Sequence, residues 1–450
     1  MAVKEILLIN KQTLNDEQKE AFDLMYEFVN SPKDGSMFLL KGFAGSGKTY
    51  CISRLVDALK RIKPGRRIAM TAPTNKAVAV LKESSGLSDV NYKTIHALLG
   101  LKEVIDKETG QQRFEKDFDS EYSTILKYGV LIIDEVSMLE DKLFFDIKKH
   151  SKKVKIIMMG DPAQIPPVNK LDCEPFLNPE KHNIREYQLS KIMRQAGDSD
   201  IPVRAYDVRS AIDTEVFKFV PGEGFNVYSR DKDRALIKQA FEKTFNGENN
   251  ARVISWTNRS VSNYNSYIRK LLYGENLEKI LVGEKLIMNS PWRIMEGLSL
   301  HANQEIEVIS KTQNGYEVDL EDLGKESFIC YDAGIKFLND VGSEEYATIR
   351  ILHESSEDLF KQKLNSIAAL AISSKKEERG HIWQKWYRLK RSFADISYAY
   401  AITAHKSQGS TYHCCFVDSA NIHQNPNTIE KNRILYTALT RAKKEVHLIQ

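Results

Sequence analysis

Two hydrophobic patterns alternate along the first 160 positions: short apolar runs, and stretches in which apolar residues recur every three or four positions. A helix is predicted from Asn15 or Asp16 through Phe28, followed by a buried strand at 37–40. Further buried strands are predicted at 67–72, 130–133 and 154–159. Strands that alternate with helices are typical of an α/β fold, in which helices cover both faces of a parallel sheet.

The segment 100–127 interrupts this alternation. Residues 101–105 and 111–114 flank the polar stretch 106–110, a pattern that predicts a β-hairpin with an exposed turn. We expect this hairpin to be an insertion into the sheet topology.

A second strand–helix system begins near Arg252, resumes at 398–403 and ends at 446–449. The intervening residues 290–395 contain short alternating runs and a charged helical stretch at 356–392. This pattern predicts a smaller β-rich subdomain with a helical extension, inserted into the second system.

Composition narrows the class of protein. At roughly 150 residues per domain, a chain of 450 residues is expected to form about three domains. Its content of 42% hydrophobic and 28% charged residues is ordinary for a globular protein. The net charge of +4 does not by itself indicate nucleic acid, and the five cysteines form no CxxC pair, which argues against a disulfide scaffold and a zinc ribbon. No signal peptide and no apolar stretch near the ~20 residues of a membrane span are seen. We expect a soluble, intracellular, multi-domain protein without a membrane partner.

The segment GFAGSGKT, from Gly42 to Thr49, lies between a predicted strand and a predicted helix. It matches the phosphate-binding loop pattern in full, because its glycines let backbone N–H groups converge on phosphate oxygens beside a helix N-terminus. Lys48 can reach the β- and γ-phosphates of ATP, and the Thr49 hydroxyl can bind Mg²⁺. The remaining cofactor-binding positions of the loop are Ala44, Gly45, Ser46 and Gly47.

Two carboxylates end the apolar strand at 130–133. Asp134 suits the Mg²⁺ shell, and Glu135 can orient and deprotonate the attacking water. Gln164 follows the next predicted strand and can sense the γ-phosphate from the same edge of the sheet. Alone, an Asp-Glu pair after a strand is more often a solvated turn; beside a phosphate-binding loop it indicates catalysis.

Together with these residues, a series of ordered motifs resembles the superfamily 1 helicases, and most of all their 5′-to-3′ (RecD/Pif1-like) branch. The resemblance runs from Gln18 to Arg441, with Phe43 where the family often has Pro and Ile165 where it often has Leu. The motifs are TAPTNKA at 71–77, KTIHAL at 93–98, DEVSM at 134–138, GDPAQIPPV at 160–168, LSKIMRQ at 189–195, WTN at 256–258, TAHKSQG at 403–409 and LYTALTR at 435–441.

This resemblance implies two RecA-like domains with ATP and Mg²⁺ in the cleft between them. Their expected bounds are 1–190 for the first domain, which carries the hairpin insertion at 100–127, and 191–289 plus 396–450 for the second. The small β subdomain inserted at 290–395 would be SH3-like. The implied activity is that of a DNA-stimulated ATP hydrolase that translocates on single-stranded DNA, 5′ to 3′, and unwinds duplex DNA.

The resemblance also assigns roles at the nucleotide. Gln18 would recognise the adenine edge, whereas without the surrounding motifs it would be interpreted as a polar residue of a surface helix. Arg194 and Arg441 match two arginines that reach the γ-phosphate across the cleft, where a cation stabilises charge in the transition state. Because both come from the second domain, hydrolysis would depend on domain closure.

Four segments would contact single-stranded DNA. Helix starts present N–H groups and hydroxyls that suit backbone phosphates. The same Thr and Asn residues are also ordinary helix caps, so a direct DNA contact is expected for only part of the set. The expected DNA-binding residues are Pro73, Thr74, Asn75, Thr94, His96, Thr257, Asn258, Thr403, His405 and Lys406.

Phe114 and Phe118 lie on the return side of the predicted hairpin. An aromatic ring at a duplex junction can stack on the last base pair, since base–aromatic stacking is worth ~1–3 kcal/mol. The alternative interpretation is that these rings anchor the hairpin to the sheet domain, and the sequence leaves both open.

Two other classes of function share part of this pattern. A single-strand-binding module with a regulatory nucleotide would not require Glu135, Arg194 and Arg441 together. A nucleotide kinase or AAA-type remodelling enzyme would share the phosphate-binding loop but would not explain 403–409 followed by the Arg441 motif. The expected partners are single-stranded DNA, duplex junctions and replication or recombination proteins. The expected location is the cytoplasm, that of the host cell if a phage encodes the chain.

Overall fold

The computed structural model describes residues 2–32, 36–106, 112–116, 124–167, 170–191, 199–214, 218–246, 250–275, 277–295, 298–313, 315–319, 327–339 and 343–450. In these ranges the α-helices are α1 Val3–Lys11, α2 Asp16–Asn30, α3 Lys48–Ile62, α4 Asn75–Ser85, α5 Ile95–Leu99, α6 Asp141–His150, α7 Glu174–Leu177, α8 Ile201–Ser210, α9 Arg234–Phe245, α10 Asn258–Tyr273, α11 Glu357–Ser373, α12 Lys376–Lys390, α13 Ala404–Ser407, α14 Ser419–Ile422 and α15 Thr428–Leu439.

The strands in the same ranges are β1 Met37–Gly42, β2 Ile68–Ala72, β3 Asn91–Thr94, β4 Leu101–Ile105, β5 Gln112–Lys116, β6 Val130–Ile133, β7 Lys155–Gly160, β8 Ile184–Leu189, β9 Phe225–Tyr228, β10 Ala251–Ser255, β11 Lys285–Met288, β12 Trp292–Met295, β13 Leu298–Leu300, β14 Glu305–Lys311, β15 Tyr316–Asp319, β16 Ser327–Leu338, β17 Glu344–Leu352, β18 Ile396–Tyr398, β19 Ala401–Thr403, β20 Tyr412–Asp418 and β21 Ala442–Ile449.

The first sheet is parallel throughout, with the strand order β3-β2-β6-β7-β1-β8. Its central strands are buried on both faces, which explains why they appear in the sequence as continuous apolar runs. Helices α2 and α3 pack their apolar sides on this sheet, where Phe22, Met25, Ile52 and Leu55 are fully buried.

The second sheet is also parallel, with the order β19-β10-β20-β21-β9. Its strand β20 is buried at most positions, and Phe241 of α9 packs on Phe416 with a distance of 4.5 Å between ring centroids. The predicted α/β class with two parallel-sheet domains is confirmed.

The inserted elements are antiparallel. Strands β15-β16-β14-β11-β18 form one sheet, with β17 paired to β16, around a core that includes Ile306, Val308 and Ile335. The predicted hairpin is present: β4 pairs with β5 in antiparallel orientation, and the register places Leu101 opposite Lys116. The tip of the hairpin at 107–111 and Phe118 lie outside the described residues.

The structure differs from two predicted elements. The strand expected at 398–403 is divided, because β18 pairs with β11 in the antiparallel sheet whereas β19 pairs with β10 in the parallel sheet. The helical stretch at 356–392 is two helices, since Ser374 and Lys375 have extended backbone between α11 and α12.

The chain divides into two compact units, one of residues 1–100, 117–264 and 400–450 and one of residues 101–116 and 265–399. The first unit holds both parallel sheets, and the second holds the antiparallel elements. The domain bounds at 190, 289 and 396 expected from the sequence stay predictions. None of the helices in the described ranges has the length and apolar character needed to cross a bilayer.

Candidate nucleotide and DNA site

The phosphate-binding loop connects β1 to α3 in a conformation that only glycine adopts easily. Gly45 has φ +84° and Gly47 has φ +79°, both in the left-handed region. A Cβ atom at Gly47 would lie 2.4 Å from Nε2 of Gln18, which donates a hydrogen bond of 3.1 Å to the Ser46 carbonyl. Gln18 therefore supports the loop conformation, and its contact with the adenine edge stays a prediction.

The hydroxyl of Ser46 supplies a test of whether phosphate fits here. The residue is 1% exposed, and its Oγ finds no hydrogen-bond partner among the described residues. A buried hydroxyl without a partner is costly, and a phosphate oxygen at the N-terminus of α3 would satisfy it. The loop therefore fits a nucleotide phosphate.

Lys48 is the first residue of α3, and its amine lies over the loop. Nζ donates to the carbonyl oxygens of Gly42 at 2.8 Å and Phe43 at 3.0 Å. Burial lowers the pKa of Lys48, while the negative charges of Asp161 and Asp134 act in the opposite direction. The amine thus lies within electrostatic range of the acidic groups at the ends of β6 and β7.

Asp134 and Glu135 follow β6 directly. The backbone N–H of Asp134 donates to the Thr71 carbonyl at 2.8 Å, and the Glu135 N–H donates to the Asp134 carboxylate at 2.8 Å. Burial, and next the charge of Glu135, raise the pKa of Asp134. Glu135 has φ +51°, an uncommon conformation for a residue with a side chain and one that occurs at functional sites. Asp134 and Thr49 offer a carboxylate and a hydroxyl oxygen, the type of ligand that Mg²⁺ prefers.

Asp161 directly follows β7, and its carboxylate joins several segments of the chain; we call this set of contacts the hub. The motif pattern did not reveal it. Its carboxylate is fully buried. It accepts hydrogen bonds from the backbone N–H groups of Ala44 and Ala163, both at 3.1 Å, and from the Tyr436 hydroxyl at 2.5 Å. A fourth donor is Arg209 of α8, which forms an ion pair with it. The hub therefore connects the phosphate-binding loop with α15, in the second sheet's domain.

Arg209 was not expected from the sequence. Its guanidinium lies 4.2 Å from the ring centroid of Phe43, the residue at the loop position where Pro is frequent in the resembling family. The aromatic side chain at that position was the available signal, since it offers a ring face to a cation. A lone arginine 48 residues from Asp161 could not be placed there from its spacing.

A second connection between the two domains lies beside Gln164. The neighbouring Ile165 donates its N–H to the Thr437 hydroxyl at 3.3 Å and accepts from Nε2 of Gln408 at 2.9 Å. Oε1 of Gln164 is buried and has no hydrogen-bond partner within the described ranges. The amide expected to sense phosphate is therefore next to a backbone segment that the second domain holds on both sides.

Of the two arginines expected at the γ-phosphate, Arg441 lies in the described part of the chain. Arg441 is 4% exposed and turns into its own domain, where Nε donates to the Thr437 carbonyl at 3.1 Å and Nη1 to the Ser410 carbonyl at 3.3 Å. Arg194 lies outside the described residues. Contact of either arginine with the γ-phosphate stays a prediction.

The four threonines expected at the DNA share one position, because each caps a helix directly after a parallel strand. The hydroxyl of each accepts a hydrogen bond of 3.2 or 3.3 Å from a backbone N–H in the first turn. Parallel strands end at one edge of a sheet, so each domain presents two such helix starts at its carboxyl edge. The caps are Thr74 after β2, Thr94 at the end of β3, Thr257 after β10 and Thr403 at the end of β19.

The neighbouring expected residues are accessible to different degrees. Asn258 and Lys406 are exposed, whereas Pro73, Asn75, His96 and His405 are half-buried. Burial lowers the pKa of both histidines, which keeps them neutral at pH 7. A phosphate contact from either histidine would therefore be a hydrogen bond between a neutral donor and an anion.

Asn421 positions the third cap and was missed in the sequence. Its Oδ1 accepts from the N–H groups of Trp256 and Thr257, both at 3.0 Å, and from the Ser255 hydroxyl at 2.8 Å. Asp418 in turn accepts from the Asn421 N–H at 3.1 Å. An isolated asparagine near the end of a strand carries no sequence signal for this role.

Phe114 belongs to β5, and its side chain is 44% exposed. This exposure leaves open both interpretations made from the sequence.

Two family models match separate parts of the chain, one in each parallel-sheet region. Residues 26–170 match the AAA domain family, and residues 398–449 match the UvrD-like helicase C-terminal domain. The chain is 27% identical over 453 residues to the ATP-dependent DNA helicase Dda of Enterobacteria phage T4, covering 97% of this chain and 99% of that protein. It is 25% identical over 451 residues to RecBCD enzyme subunit RecD of Buchnera aphidicola, covering 90% of this chain and 68% of the other. Over nearly its whole length the chain is similar to superfamily 1 helicases of the Pif1/RecD-like branch.

The crystal structure of a Bacteroides Pif1 helicase in complex with ADP-AlF₃ and ssDNA shares the fold of this helicase. The TM-score is 0.52 at 18% identity, over 97% of this chain and 92% of that chain. This likeness confirms the expected fold class. The sequence relatives bear out the expected resemblance and the enzyme class, while the roles of individual site residues stay predictions.

Proposed function

We propose that this helicase uses ATP hydrolysis to move along single-stranded DNA in the 5′-to-3′ direction and to unwind duplex DNA ahead of it. Its similarity over nearly the whole chain to the helicase Dda and to RecD supports an ATP-dependent DNA helicase. Direction, the residues that act and the coupling between them are the parts that we propose.

In the proposed hydrolytic site, the N–H groups of 42–47 and the amine of Lys48 bind the β- and γ-phosphates. Thr49 and Asp134 would hold Mg²⁺, which would neutralise charge on the phosphate oxygens. Glu135 accepts the proton of the attacking water, and Gln164 contacts the γ-phosphate. The half-buried Lys48 and Thr49 and the orphaned hydroxyl of Ser46 support a phosphate at this position.

Arg194 and Arg441 complete the proposed site from the second domain. A cation at the γ-phosphate stabilises the charge of the transition state and is worth roughly 10³–10⁵ in rate. Arg441 now binds carbonyls of its own domain, so we propose that it exchanges these partners for the phosphate when the two domains close on ATP.

The observation that carries the proposal is that the second domain already contacts both ends of the hydrolytic site. Tyr436 reaches Asp161 and the N–H of Ala44 in the phosphate-binding loop, and Gln408 with Thr437 holds Ile165. A change in charge at the γ-phosphate would therefore act directly on the position of the second domain. Hydrolysis would be converted in this way into movement of one set of helix caps relative to the other.

The proposed DNA track consists of the helix caps at the carboxyl edges of the two parallel sheets. Backbone N–H groups and neutral histidines suit phosphates, so binding should be insensitive to base sequence. The exposed amine of Lys406 adds a counterion-releasing contact. We propose duplex junctions as the second DNA partner, with Phe114 as a wedge, and replication or recombination proteins as partners of the helicase. Since ATP and DNA occur together in the cytoplasm of a cell without a nucleus, we propose that location, in the host if a phage encodes the chain.

The first experiment measures phosphate release with and without a single-stranded oligonucleotide. We expect strong stimulation by DNA. We expect Glu135→Gln to abolish turnover while a fluorescent ATP analogue still binds, because the carboxylate acts on water and not on the nucleotide. Glu180→Gln, which removes an exposed carboxylate of the same domain, is the matched control and should behave as the wild type.

The same experiment separates the proposal from a second class of function. A single-strand-binding module with a regulatory nucleotide would bind DNA and ATP without turnover stimulated by DNA. If hydrolysis in the wild type is equal with and without DNA, the proposed coupling is wrong.

A further inference from the structure

Three metal-ligating side chains meet on one face of the second parallel sheet. Cys414 belongs to β20, and Glu445 and His447 belong to β21. The register pairs Cys414 with Glu445 and Phe416 with His447, and residues paired across parallel strands project from the same face. One thiol, one carboxylate and one imidazole thereby come together, with their ligand atoms all within 4.8 Å of one another.

The imidazole of His447 is fixed in this cluster. The residue is 5% exposed, and its ring stacks on Phe416 at 4.3 Å between centroids and an interplanar angle of 11°. On the other side lies the ring of Tyr228, whose hydroxyl is 3.1 Å from Nδ1 of the histidine. This leaves Nε2 as the nitrogen on the side of Glu445 and Cys414.

Nε2 of His447 lies beside the carboxylate of Glu445. It lies 3.2 Å from Oε1 of Glu445, but the two atoms are not aligned as a hydrogen bond, and Nε2 has no other hydrogen-bond partner among the described residues. Two ligands bound at ~2.0–2.2 Å to one tetrahedral ion are separated by about 3.4 Å, close to the observed spacing.

The groups around the cluster meet the other requirements of a metal site. Histidine ligands normally use their second nitrogen in a hydrogen bond, which is the role of Tyr228 here, and carboxylate ligands are held in the same way. Asn226 donates to Oε1 of Glu445 at 2.9 Å. The side chain of Glu445 is 44% exposed and gives an ion a route from solvent.

We propose that Cys414, Glu445 and His447 form a zinc site that joins β20 to β21. A mixed sulfur, nitrogen and oxygen donor set favours Zn²⁺ over Mg²⁺, which takes oxygen ligands. Three protein ligands leave a fourth tetrahedral position for water. The site is separate from the residues proposed to act on ATP and DNA, so it does not depend on the proposed function.

The experiment titrates the metal-free, reduced full-length protein with Co²⁺, which takes the place of Zn²⁺ and reports thiolate ligation through a charge-transfer band in the near ultraviolet. We expect one equivalent to produce this band and Zn²⁺ to abolish it, whereas Mg²⁺ has no effect. Cys414→Ser should lose the band and bind Co²⁺ at least about tenfold more weakly. Cys415→Ser is the matched control, because this buried cysteine is the next residue of β20 and projects from the opposite face.

Tyr228→Phe keeps all three ligands and removes only the hydroxyl at Nδ1. It should retain the band while weakening Co²⁺ binding by roughly 10- to 100-fold. Absence of the band in the wild type at saturating Co²⁺ would overturn the proposal without the need for any variant. A band that survives Cys414→Ser, or one that is lost in Cys415→Ser, would also overturn it. Circular dichroism of each variant shows that it is folded.

Discussion

Replacement of Arg209 by methionine tests the hub at Asp161. The carboxylate of Asp161 is fully buried and the side chain of Arg209 is 12% exposed. Both charged groups are therefore largely desolvated and are compensated by each other. Methionine keeps most of the volume over Phe43 but removes the charge. Asp161 then keeps only the neutral donors of Ala44, Ala163 and Tyr436.

The size of the effect follows from burial. Removing one partner of a buried ion pair costs about 3–5 kcal/mol, because the remaining charge is uncompensated. Both residues lie in the compact unit that holds the two parallel sheets. At roughly 150–250 residues each kcal/mol lowers the melting temperature by about 2–4 °C, and by less in a larger unit. We therefore expect Arg209→Met to lower the melting temperature of this unit by roughly 5–10 °C.

Thermal unfolding followed by circular dichroism measures this shift. The control is Arg204→Met on the same helix, where the ion pair with Asp207 is 3.7 Å long and the aspartate side chain is 52% exposed; such pairs contribute about 1 kcal/mol or less. The double variant Asp161→Asn with Arg209→Met should recover part of the loss, since neither charge is then left alone. A shift for Arg209→Met no larger than that of Arg204→Met would refute the reasoning.

Three further predictions concern the phosphate loop, the DNA track and pH. Gly47→Ala should raise the Kd of a fluorescent ATP analogue at least about tenfold. A side chain at its φ of +79° costs roughly 1–2 kcal/mol, and the added Cβ would meet Gln18. Gly65→Ala, at a position with open space around it, should leave the Kd unchanged, and equal affinities of the two variants would contradict the prediction. In salt titrations of single-strand binding, Lys406→Ala should reduce the slope of log K against log salt concentration by about 0.7. His405→Ala should weaken binding without changing this slope, because the neutral imidazole releases no counterion. A smaller slope for His405→Ala would show that His405 binds as a cation. Burial lowers the folded-state pKa of His96 and His405. Near and below its own histidine pKa of about 6.5 the unfolded chain therefore binds more protons than the folded chain, and the melting temperature should fall as pH is lowered from 7.5 to 5.5. A double His→Gln variant should lose part of this fall; an equal fall would argue that the fold does not disfavour the charged form of these histidines.

The sequence was sufficient for those parts of the site that depend on local order. The phosphate-binding loop, the carboxylates after β6 and the caps at Thr74 and Thr94 are each defined by a strand, a turn and a helix start within about ten residues. Their geometry follows from strand burial, glycine conformations and capping hydrogen bonds, all of which act over short separations.

Features that depend on the meeting of distant segments could not be predicted in this way. The ion pair of Arg209 with Asp161 and the hydrogen bonds that Asn421 accepts join residues 48 and more than 160 positions apart. The division of 398–403 into β18 and β19 depends on which neighbouring strand each half meets, and both halves have the same apolar pattern. Tertiary pairing decides between such alternatives, and hydrophobic periodicity carries no information about it.

The most direct test of the central claim is a strand-displacement assay with ATP on two duplexes that differ only in whether the single-stranded tail is 5′ or 3′. The account predicts unwinding of the 5′-tailed duplex, no unwinding of the 3′-tailed duplex, and loss of all unwinding in Glu135→Gln. Efficient unwinding from a 3′ tail alone would contradict the proposed direction. Failure to unwind either duplex, under conditions in which single-stranded DNA stimulates ATP hydrolysis, would contradict the claim that this chain converts hydrolysis into strand separation.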